Sequence, residues 1–274
     1  MSYALYVDPS KKHVPPELPI SDPMMAYWRL YDCNPTQFEN FDPAQYRPAP
    51  LVMAEIHADQ LEKLEYPVNR LSIVQQKSAF RDLSLLKSKL AKGVQCDITF
   101  NWDKRFAVDY YIKMIRFWVQ LGVQHFSFYE LTDFAKWQRL QSALRDYGFH
   151  FYDRYHACLP GFESPYQKHI AKFGTLYAFN GWSRVTYQGK TYTKGPQETE
   201  WNTLSTQDQA IERLLFGLAD RDGMDFEDIK PYITEKGLED ALQQELILLT
   251  NGKIVPTDAG LWDTLNLLSQ LQNN

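Results

Sequence analysis

The chain has 274 residues, and 29 Lys and Arg against 34 Asp and Glu give a formal net charge of −5. Its 44% hydrophobic and 23% charged residues are typical of a folded globular protein and exclude an intrinsically disordered chain. We expect no membrane span and no secretory signal, because no apolar run is long enough and the first residues lack the required pattern. Three cysteines far apart predict no disulfide framework and a reducing, cytoplasmic compartment.

The first 50 residues predict little regular structure. Residues 3–7 (YALYV) are typical of a short buried strand. Residues 8–50 are rich in proline, which lacks an N–H group and restricts the residue before it, so this segment is expected to be irregular. Within it, residues 23–31 suggest a short helix.

A regular alternation of elements begins at residue 51. Strands are predicted at 51–56, 69–75, 94–101, 125–131 and 149–157. Helical stretches are predicted at 58–65, 79–91, 109–122 and 133–148, the last three followed or closed by a glycine. This order predicts βαβ units and a parallel sheet. A full eightfold barrel needs about 250 residues, so the spacing favours an α/β fold with an incomplete (β/α) barrel or an open curved sheet.

The C-terminal part has a different pattern. After a small hairpin near residues 188–189 and a boundary near residue 200, Ser205 is predicted to cap a helix whose apolar face includes Leu214 and Leu218. Further helices, an Asn-Gly hairpin and a last helix capped by Thr257 predict a small winged-helix-like α+β domain. Residues 205–274 contain 5 basic and 13 acidic residues, a net of −8, which disfavours binding to nucleic acid.

Polar residues at or near the predicted strand ends indicate a ligand pocket. The candidates are Glu55, Gln75, Gln76, Asp97 or Asn101, and Glu130. In parallel α/β sheets, ligands bind outside the carboxyl ends of the strands. The spacing of the histidines and cysteines matches no metal-binding motif, so no metal ligand is predicted.

Several segments, in the same order, resemble the oxygen-independent coproporphyrinogen III oxidases and their relatives, the radical-SAM haem chaperones. NRLSIVQQ (69–76) resembles the signature NRLSIGVQ, and VQHFSFYEL (123–131) resembles the HISLYEL strand. The segment YGFHFYDRYHACLPGFESPYQKH (147–169) resembles GYExYEISNFAxPGxESxHNxxY. The resemblance covers roughly residues 51–274. It implies a radical-SAM-type sheet in residues 1–200 and a winged-helix-like domain of the coproporphyrinogen oxidase type in residues 201–274.

The sequence departs from this family where the cofactor chemistry lies. Family members hold a [4Fe–4S] cluster with three cysteines in CxxxCxxC after the first strand, whereas the matching segment here, ALYVDPSKKHVPP, contains none. The glycine-rich GGTPS segment is also missing, and Val74 replaces the signature glycine. Since a cluster needs several convergent thiolates, no [4Fe–4S] cluster is expected and radical-SAM activity is not predicted.

The resemblance implies two sets of site residues. Glu55, Gln76 and Asp97 match positions that contact S-adenosylmethionine and are interpreted as a remnant of that site. Tyr166 and His169 fall in the altered HNxxY motif and are candidate haem ligands, because Tyr can ligate ferric haem iron.

Three functions remain open at this point. The first is a cluster-less protein of haem metabolism that binds haem, a porphyrin or a partner protein. The second is a genuine coproporphyrinogen III oxidase-like oxidoreductase, and the third is a regulatory module with a residual S-adenosylmethionine pocket. The sequence does not specify the oligomeric state.

Overall fold

A computed structural model describes residues 3–10, 22–46, 48–75, 83–179, 182–187, 190–195, 198 and 200–272. The predicted turn at residues 188–189 lies outside this part. Within it, one 12-stranded sheet contains β1 (Ala4–Val7), β2 (Met25–Arg29), β3 (Val52–His57), β4 (Arg70–Gln75), β5 (Gln95–Asn101), β6 (His125–Tyr129), β7 (His150–Phe151), β8 (His156–Cys158), β9 (Leu176–Phe179), β10 (Ser183–Tyr187), β11 (Lys190–Lys194) and β12 (Asn202–Thr203). The accompanying helices are α1 (Pro35–Glu39), α2 (Ser84–Ala91), α3 (Val108–Gln120), α4 (Phe134–Arg145) and α5 (Pro165–Ala171).

The sheet is open and mostly parallel. Strands β9, β1, β2, β3, β4, β5 and β6 are neighbours in that order and run parallel. The antiparallel strands β10–β12 extend one edge, and β8 and β7 extend the other. No pairing between the described strands joins the two edges. The predicted α/β fold with an open, largely parallel sheet is therefore confirmed.

Helices α3 and α4 cover one face of this sheet because their apolar residues recur at helical spacing. In α4, Trp137, Leu140 and Leu144 are fully buried against strand residues such as Phe126 and Phe128. Each buried leucine of this kind contributes about 1.5–3 kcal/mol. The side chain of Asp133 accepts a hydrogen bond from the Lys136 backbone N–H and caps the helix.

The C-terminal elements form a second hydrophobic cluster of their own. They are α6 (Thr206–Leu218), β13 (Met224–Asp225), α7 (Phe226–Ile229), α8 (Glu235–Gln243), β14 (Ile247–Thr250), β15 (Lys253–Pro256), α9 (Asp258–Trp262) and α10 (Thr264–Gln272). Ser205 caps α6 and Thr257 caps α9, as the sequence predicts. The single last helix predicted from Thr257 through Leu271 is instead two helices, α9 and α10, which Asp263 separates. Ion pairs from Lys168 of α5 to Asp220 at 2.8 Å and Asp222 at 2.9 Å join this cluster to the sheet.

Several predicted elements differ from the structure. The helical stretch expected at 58–65 is a 3-10 helix over Ala58–Lys63. The helix expected at 23–31 is wrong, because Met25–Arg29 form strand β2 between β1 and β3. The single strand expected at 149–157 is two short antiparallel strands. The carboxylate of Asp153 accepts the backbone N–H groups of Tyr155 and His156, each at 2.7 Å, and thereby turns the chain back on itself. None of the helices described is both long and apolar enough to cross a bilayer.

Candidate functional site

A row of polar side chains crosses the sheet on the face opposite helices α3 and α4. Cross-strand pairing aligns one residue from each successive strand: Arg29, Glu55, Ser72, Asp97, His125 and Cys158. Because side chains alternate along a strand, these residues share one face. Their sequence neighbours Ala54, Leu71 and Phe126 face the hydrophobic core. We call this set the polar row.

Arg70 anchors the region beside the polar row. Its side chain is 3% exposed, and its Nε lies 2.6 Å from Asp97 Oδ2. Its other nitrogens donate to the backbone carbonyls of Phe162 and Glu163, each at 2.9 Å. Burial alone would lower the pKa of Arg70, but the Asp97 carboxylate raises it, so the guanidinium stays charged. Arg70 thus ties the central strands to the loop before α5.

His125 is held neutral inside this cluster. Burial, followed by the nearby charge of Arg70, lowers its pKa well below the ordinary value. Its Nε2 lies 2.8 Å from the Tyr152 hydroxyl, and its Nδ1 faces Asp97 Oδ2 at 3.5 Å, which is too long for a strong hydrogen bond. The ring therefore positions Tyr152 without adding a charge.

A chain of hydrogen bonds joins Asp153, His156 and Tyr129. His156 Nδ1 lies 2.7 Å from Asp153 Oδ2, and its Nε2 lies 3.0 Å from the Tyr129 hydroxyl. A carboxylate on one ring nitrogen fixes the orientation of an imidazole. Burial, then the charge of Glu55, raises the pKa of Tyr129, so its phenol keeps its proton. These hydrogen bonds fix the positions of the three side chains on the polar face of the sheet.

Burial shifts the pKa of Glu55, a member of the polar row, toward neutrality. Its side chain is 6% exposed, and burial raises its pKa from 4.5 to about 7, although Tyr27 and Arg29 oppose the shift. Glu55, Asp97 and His156 border one cavity of about 20 Å³. Since a water molecule needs about 10–15 Å³, this cavity has room for about one water.

The structure places the sequence-predicted residues in different surroundings. Glu55 and Asp97 lie within their strands and border the same small cavity, whereas Gln76 lies outside the described residues. An S-adenosylmethionine molecule at Glu55 and Asp97 would require far more space than this cavity offers. Gln167 of α5 and Ser164, its N-cap residue, also border this cavity.

Tyr166 and His169, the candidate haem ligands, are both engaged by other groups. Tyr166 is 6% exposed and stacks on Tyr27 with ring centroids 4.6 Å apart. His169 Nε2 lies 2.8 Å from the carbonyl oxygen of Thr175, and its ring packs against Gly174. Iron ligation by either residue would require it to leave these contacts.

The cysteines do not form a site for an iron–sulfur cluster. All three are described and buried, and none is in a disulfide. Cys96 on β5 faces the hydrophobic core, Cys158 on β8 belongs to the polar row on the opposite face, and Cys33 follows β2. A [4Fe–4S] cluster in one chain needs thiolates that converge, and these three do not.

A larger cleft lies where strands β4, β5 and β6 end. It has a volume of about 930 Å³, within the range of ligand-binding pockets. Gln75, Asn101 and Glu130, all named above as strand-end residues, border it. The rest of its lining is Phe100, Trp102, Asp103, Lys104, Arg105, Phe106, Tyr110, Tyr111, Thr132, Asp133 and Lys136.

Aromatic rings and cations together line this strand-end cleft. Trp102 stacks on Tyr111 with ring centroids 3.9 Å apart, and Phe106 stacks on Tyr110 at 4.7 Å. Arg105 is paired with Asp103, whereas Lys104 is exposed and makes no ion pair with any described residue. The cleft thus combines aromatic rings with three cationic side chains and with the acidic Asp103, Glu130 and Asp133.

One wall of the cleft has a strained backbone. Glu130, directly after β6, has a φ of 63°, in the left-handed region that residues other than glycine seldom adopt. Such conformations cost of order 1–3 kcal/mol and cluster at functional sites. The strained backbone of Glu130 favours the strand-end cleft as a binding site, and this observation does not depend on the volume of the cleft.

Comparison with known proteins identifies the fold. No protein-family model and no curated protein matches the sequence. Coproporphyrinogen III oxidase (HemN) from Escherichia coli, whose solved structure is described as that of a radical SAM enzyme, is similar to this chain with a TM-score of 0.67. The similarity covers 99% of this chain and 90% of that one at 11% sequence identity, which shows a shared fold and not a shared activity. The fold implied by the sequence resemblance is confirmed at this level.

Proposed function

We propose that this chain binds a tetrapyrrole, haem or a porphyrin, in the strand-end cleft. The cleft itself carries the proposal, with its aromatic walls and with Lys104, which makes no ion pair to a described residue. A tetrapyrrole is a flat aromatic ring with carboxylate side chains, so it complements stacked rings and cationic groups. The name of the solved structure with the same fold, coproporphyrinogen III oxidase, supports this ligand class.

In this proposal the protein carries out no radical chemistry. The resemblance implies that radical chemistry on this fold needs a [4Fe–4S] cluster and S-adenosylmethionine. The separate positions of Cys33, Cys96 and Cys158 support the loss of the cluster. The small cavity at Glu55 and Asp97 supports the loss of the cofactor, and these residues then act as structural remnants of its site.

The C-terminal elements have a packing or partner role in this proposal. Their predicted winged-helix-like character would suit nucleic acid only with a basic surface, and residues 205–274 carry a net charge of −8. Their ion pairs with Lys168 support a role in holding α5 over the sheet. A protein of haem metabolism is the partner class that follows from the proposed ligand.

Titration with hemin and with metal-free coproporphyrin III tests the ligand and its site. Both should bind, with a shifted Soret band and quenched tryptophan fluorescence, because the cleft recognises the ring and its carboxylates. We expect Tyr110→Ala and Lys104→Ala each to weaken binding about tenfold, the effect of losing about 1.4 kcal/mol of contact energy. Both side chains are exposed, so these variants should fold.

Tyr232→Ala is the matched control, because Tyr232 is 39% exposed against 38% for Tyr110 and lies outside the cleft. It should bind both pigments normally. If neither pigment binds the wild-type chain, the proposal is refuted. If hemin alone binds, and only Tyr166→Phe or His169→Ala abolishes its binding, the ligand site is at α5 and not in the strand-end cleft.

A further inference from the structure

Three side chains with metal-binding atoms converge where the β7–β8 pair meets the loop before α5. His150 and Cys158 are direct cross-strand partners, so their side chains lie on the same face. Glu163 approaches from the loop, with its Oε1 3.6 Å from His150 Nε2. The ligand atoms of all three lie within 4.8 Å of one another. No other set of three or more His, Cys, Asp or Glu residues in the described part of the chain meets this distance.

We propose that His150, Cys158 and Glu163 bind a divalent cation of the zinc class, with solvent in the fourth position. Imidazole, thiolate and carboxylate are all ligands of Zn²⁺, and three protein ligands plus water form a known open zinc site. The sulfur ligand disfavours Mg²⁺ and Ca²⁺, which prefer oxygen. Binding forms a metal–sulfur bond, and the thiol proton of Cys158 is released to solvent.

The geometry requires only small side-chain movements. Tetrahedral bonds of about 2.0–2.3 Å place the ligand atoms roughly 3.3–3.8 Å apart. The separation between His150 and Glu163 already falls in this range. Cys158 is fully buried on its strand, whereas the side chains of His150 and Glu163 are 41% and 29% exposed. The two partly exposed ligands are therefore accessible to a hydrated cation, whereas the sulfur is fixed on its strand.

The backbone around these ligands is held in place without a metal. The loop turns at Gly161, whose φ of 84° suits glycine. Arg70 then holds Phe162 and Glu163 through their backbone carbonyls. Ser164 caps α5 directly afterwards, because its side chain accepts from the Gln167 backbone N–H. The loop that carries Glu163 is therefore pre-positioned beside the β7–β8 pair.

The charges near the site are compatible with a dication. Two cationic residues lie close to Cys158, and each is already paired: Arg70 with Asp97, and Lys168 with Asp220 and Asp222. With Cys158 and Glu163 ionised, the site supplies two negative charges to a cation of charge +2. The metal would lie at the end of the polar row and clamp the β7–β8 pair to the loop before α5.

Cobalt titration of the reduced, metal-free, full-length chain tests this site. A thiolate bound to Co²⁺ produces an intense near-ultraviolet charge-transfer band, which reports the sulfur ligand directly. We expect the band to saturate at one equivalent and to disappear when Zn²⁺ is added. Cys158→Ser should abolish the band, and His150→Ala and Glu163→Gln should each weaken Co²⁺ binding at least tenfold.

Cys33→Ser is the matched control, since it removes a buried thiol that lies elsewhere in the fold. It should leave the band and the affinity unchanged. His150 and Glu163 are partly exposed, so their variants test the site even if Cys158→Ser does not fold. The proposal is overturned if the wild-type chain gives no thiolate band, if the band survives Cys158→Ser, or if both exposed-ligand variants bind Co²⁺ as tightly as the wild type.

Discussion

Replacing Arg70 with alanine should lower the free energy of unfolding by about 3–5 kcal/mol, the cost of leaving a buried charge without its partner. The Asp97 carboxylate would remain buried but would lose the Arg70 guanidinium, whose Nε lies 2.6 Å from Asp97 Oδ2. The carbonyls of Phe162 and Glu163 would also lose their donors. Because Arg70 joins β4, β5 and the loop before α5, the loss should be global. Urea denaturation followed by circular dichroism measures it.

Arg139→Ala is the control for this substitution. Arg139 pairs with Asp109 at 2.5 Å, but both side chains are 58% exposed. Exposed pairs contribute about 0–1 kcal/mol, so this variant should unfold almost as the wild type does. Equal stability losses in the two variants would mean that the Arg70–Asp97 pair is not buried as described.

The folded chain should lose about 3 kcal/mol of stability through Glu55 as the pH rises from 4.5 to 7, at about 1.4 kcal/mol per pH unit. Burial raises the pKa of this carboxyl from 4.5 to about 7. Below pH 4.5 the Glu55 carboxyl is protonated in both the folded and the unfolded chain, so it does not lower the stability of the fold. Between the two values the unfolded chain has lost a proton that the folded chain retains, so rising pH favours unfolding.

Glu55→Gln isolates this contribution, because glutamine has a similar size and cannot ionise. The stability of the variant relative to the wild type should increase steadily from pH 4.5 to 7 and level off above it. Urea denaturation at several pH values measures the difference, with the exposed Glu62→Gln as control. A difference that does not change with pH would show that Glu55 titrates normally.

The sequence predicted the central strands and helices because local patterns determine them. Strands β3 to β6 have apolar residues on at least one face, and the glycines after α3 and α4, Gly122 and Gly148, adopt the positive φ that ends a helix. The hairpin at 149–157 was missed because its turn depends on hydrogen bonds to the side chain of Asp153. Strand β2 was missed because its pairing with β1 and β3 outweighs the weak local preference.

The polar row was only partly predictable. Parallel strands covered on both faces are usually apolar throughout, so alternation within one indicates a polar face. The segments Asp97–Ile98–Thr99 and His125–Phe126–Ser127 show this alternation. The alternation identifies which residues face away from the hydrophobic core. It does not predict that Arg70 and Asp97 pair, because that contact depends on the register between β4 and β5.

The strand-end rule named Gln75, Asn101 and Glu130, which border the large cleft in the structure. It did not identify the aromatic residues after β5 as its walls, because Trp102 and Tyr111 are brought together only by the packing of α3 on the sheet. The convergence of His150, Cys158 and Glu163 was missed for a similar reason. These residues are separated in sequence and meet through strand pairing and a turn at Gly161.

Acid-labile sulfide is the most direct test of the proposal that this chain binds no [4Fe–4S] cluster. The chain is purified without oxygen, incubated with iron and sulfide under reducing conditions, desalted and analysed per monomer. Sulfide is the informative measurement, because the proposed cation site at His150, Cys158 and Glu163 could retain iron but not inorganic sulfide. A non-radical protein retains no stoichiometric sulfide, whereas about four sulfides per monomer would show a [4Fe–4S] cluster and contradict this function.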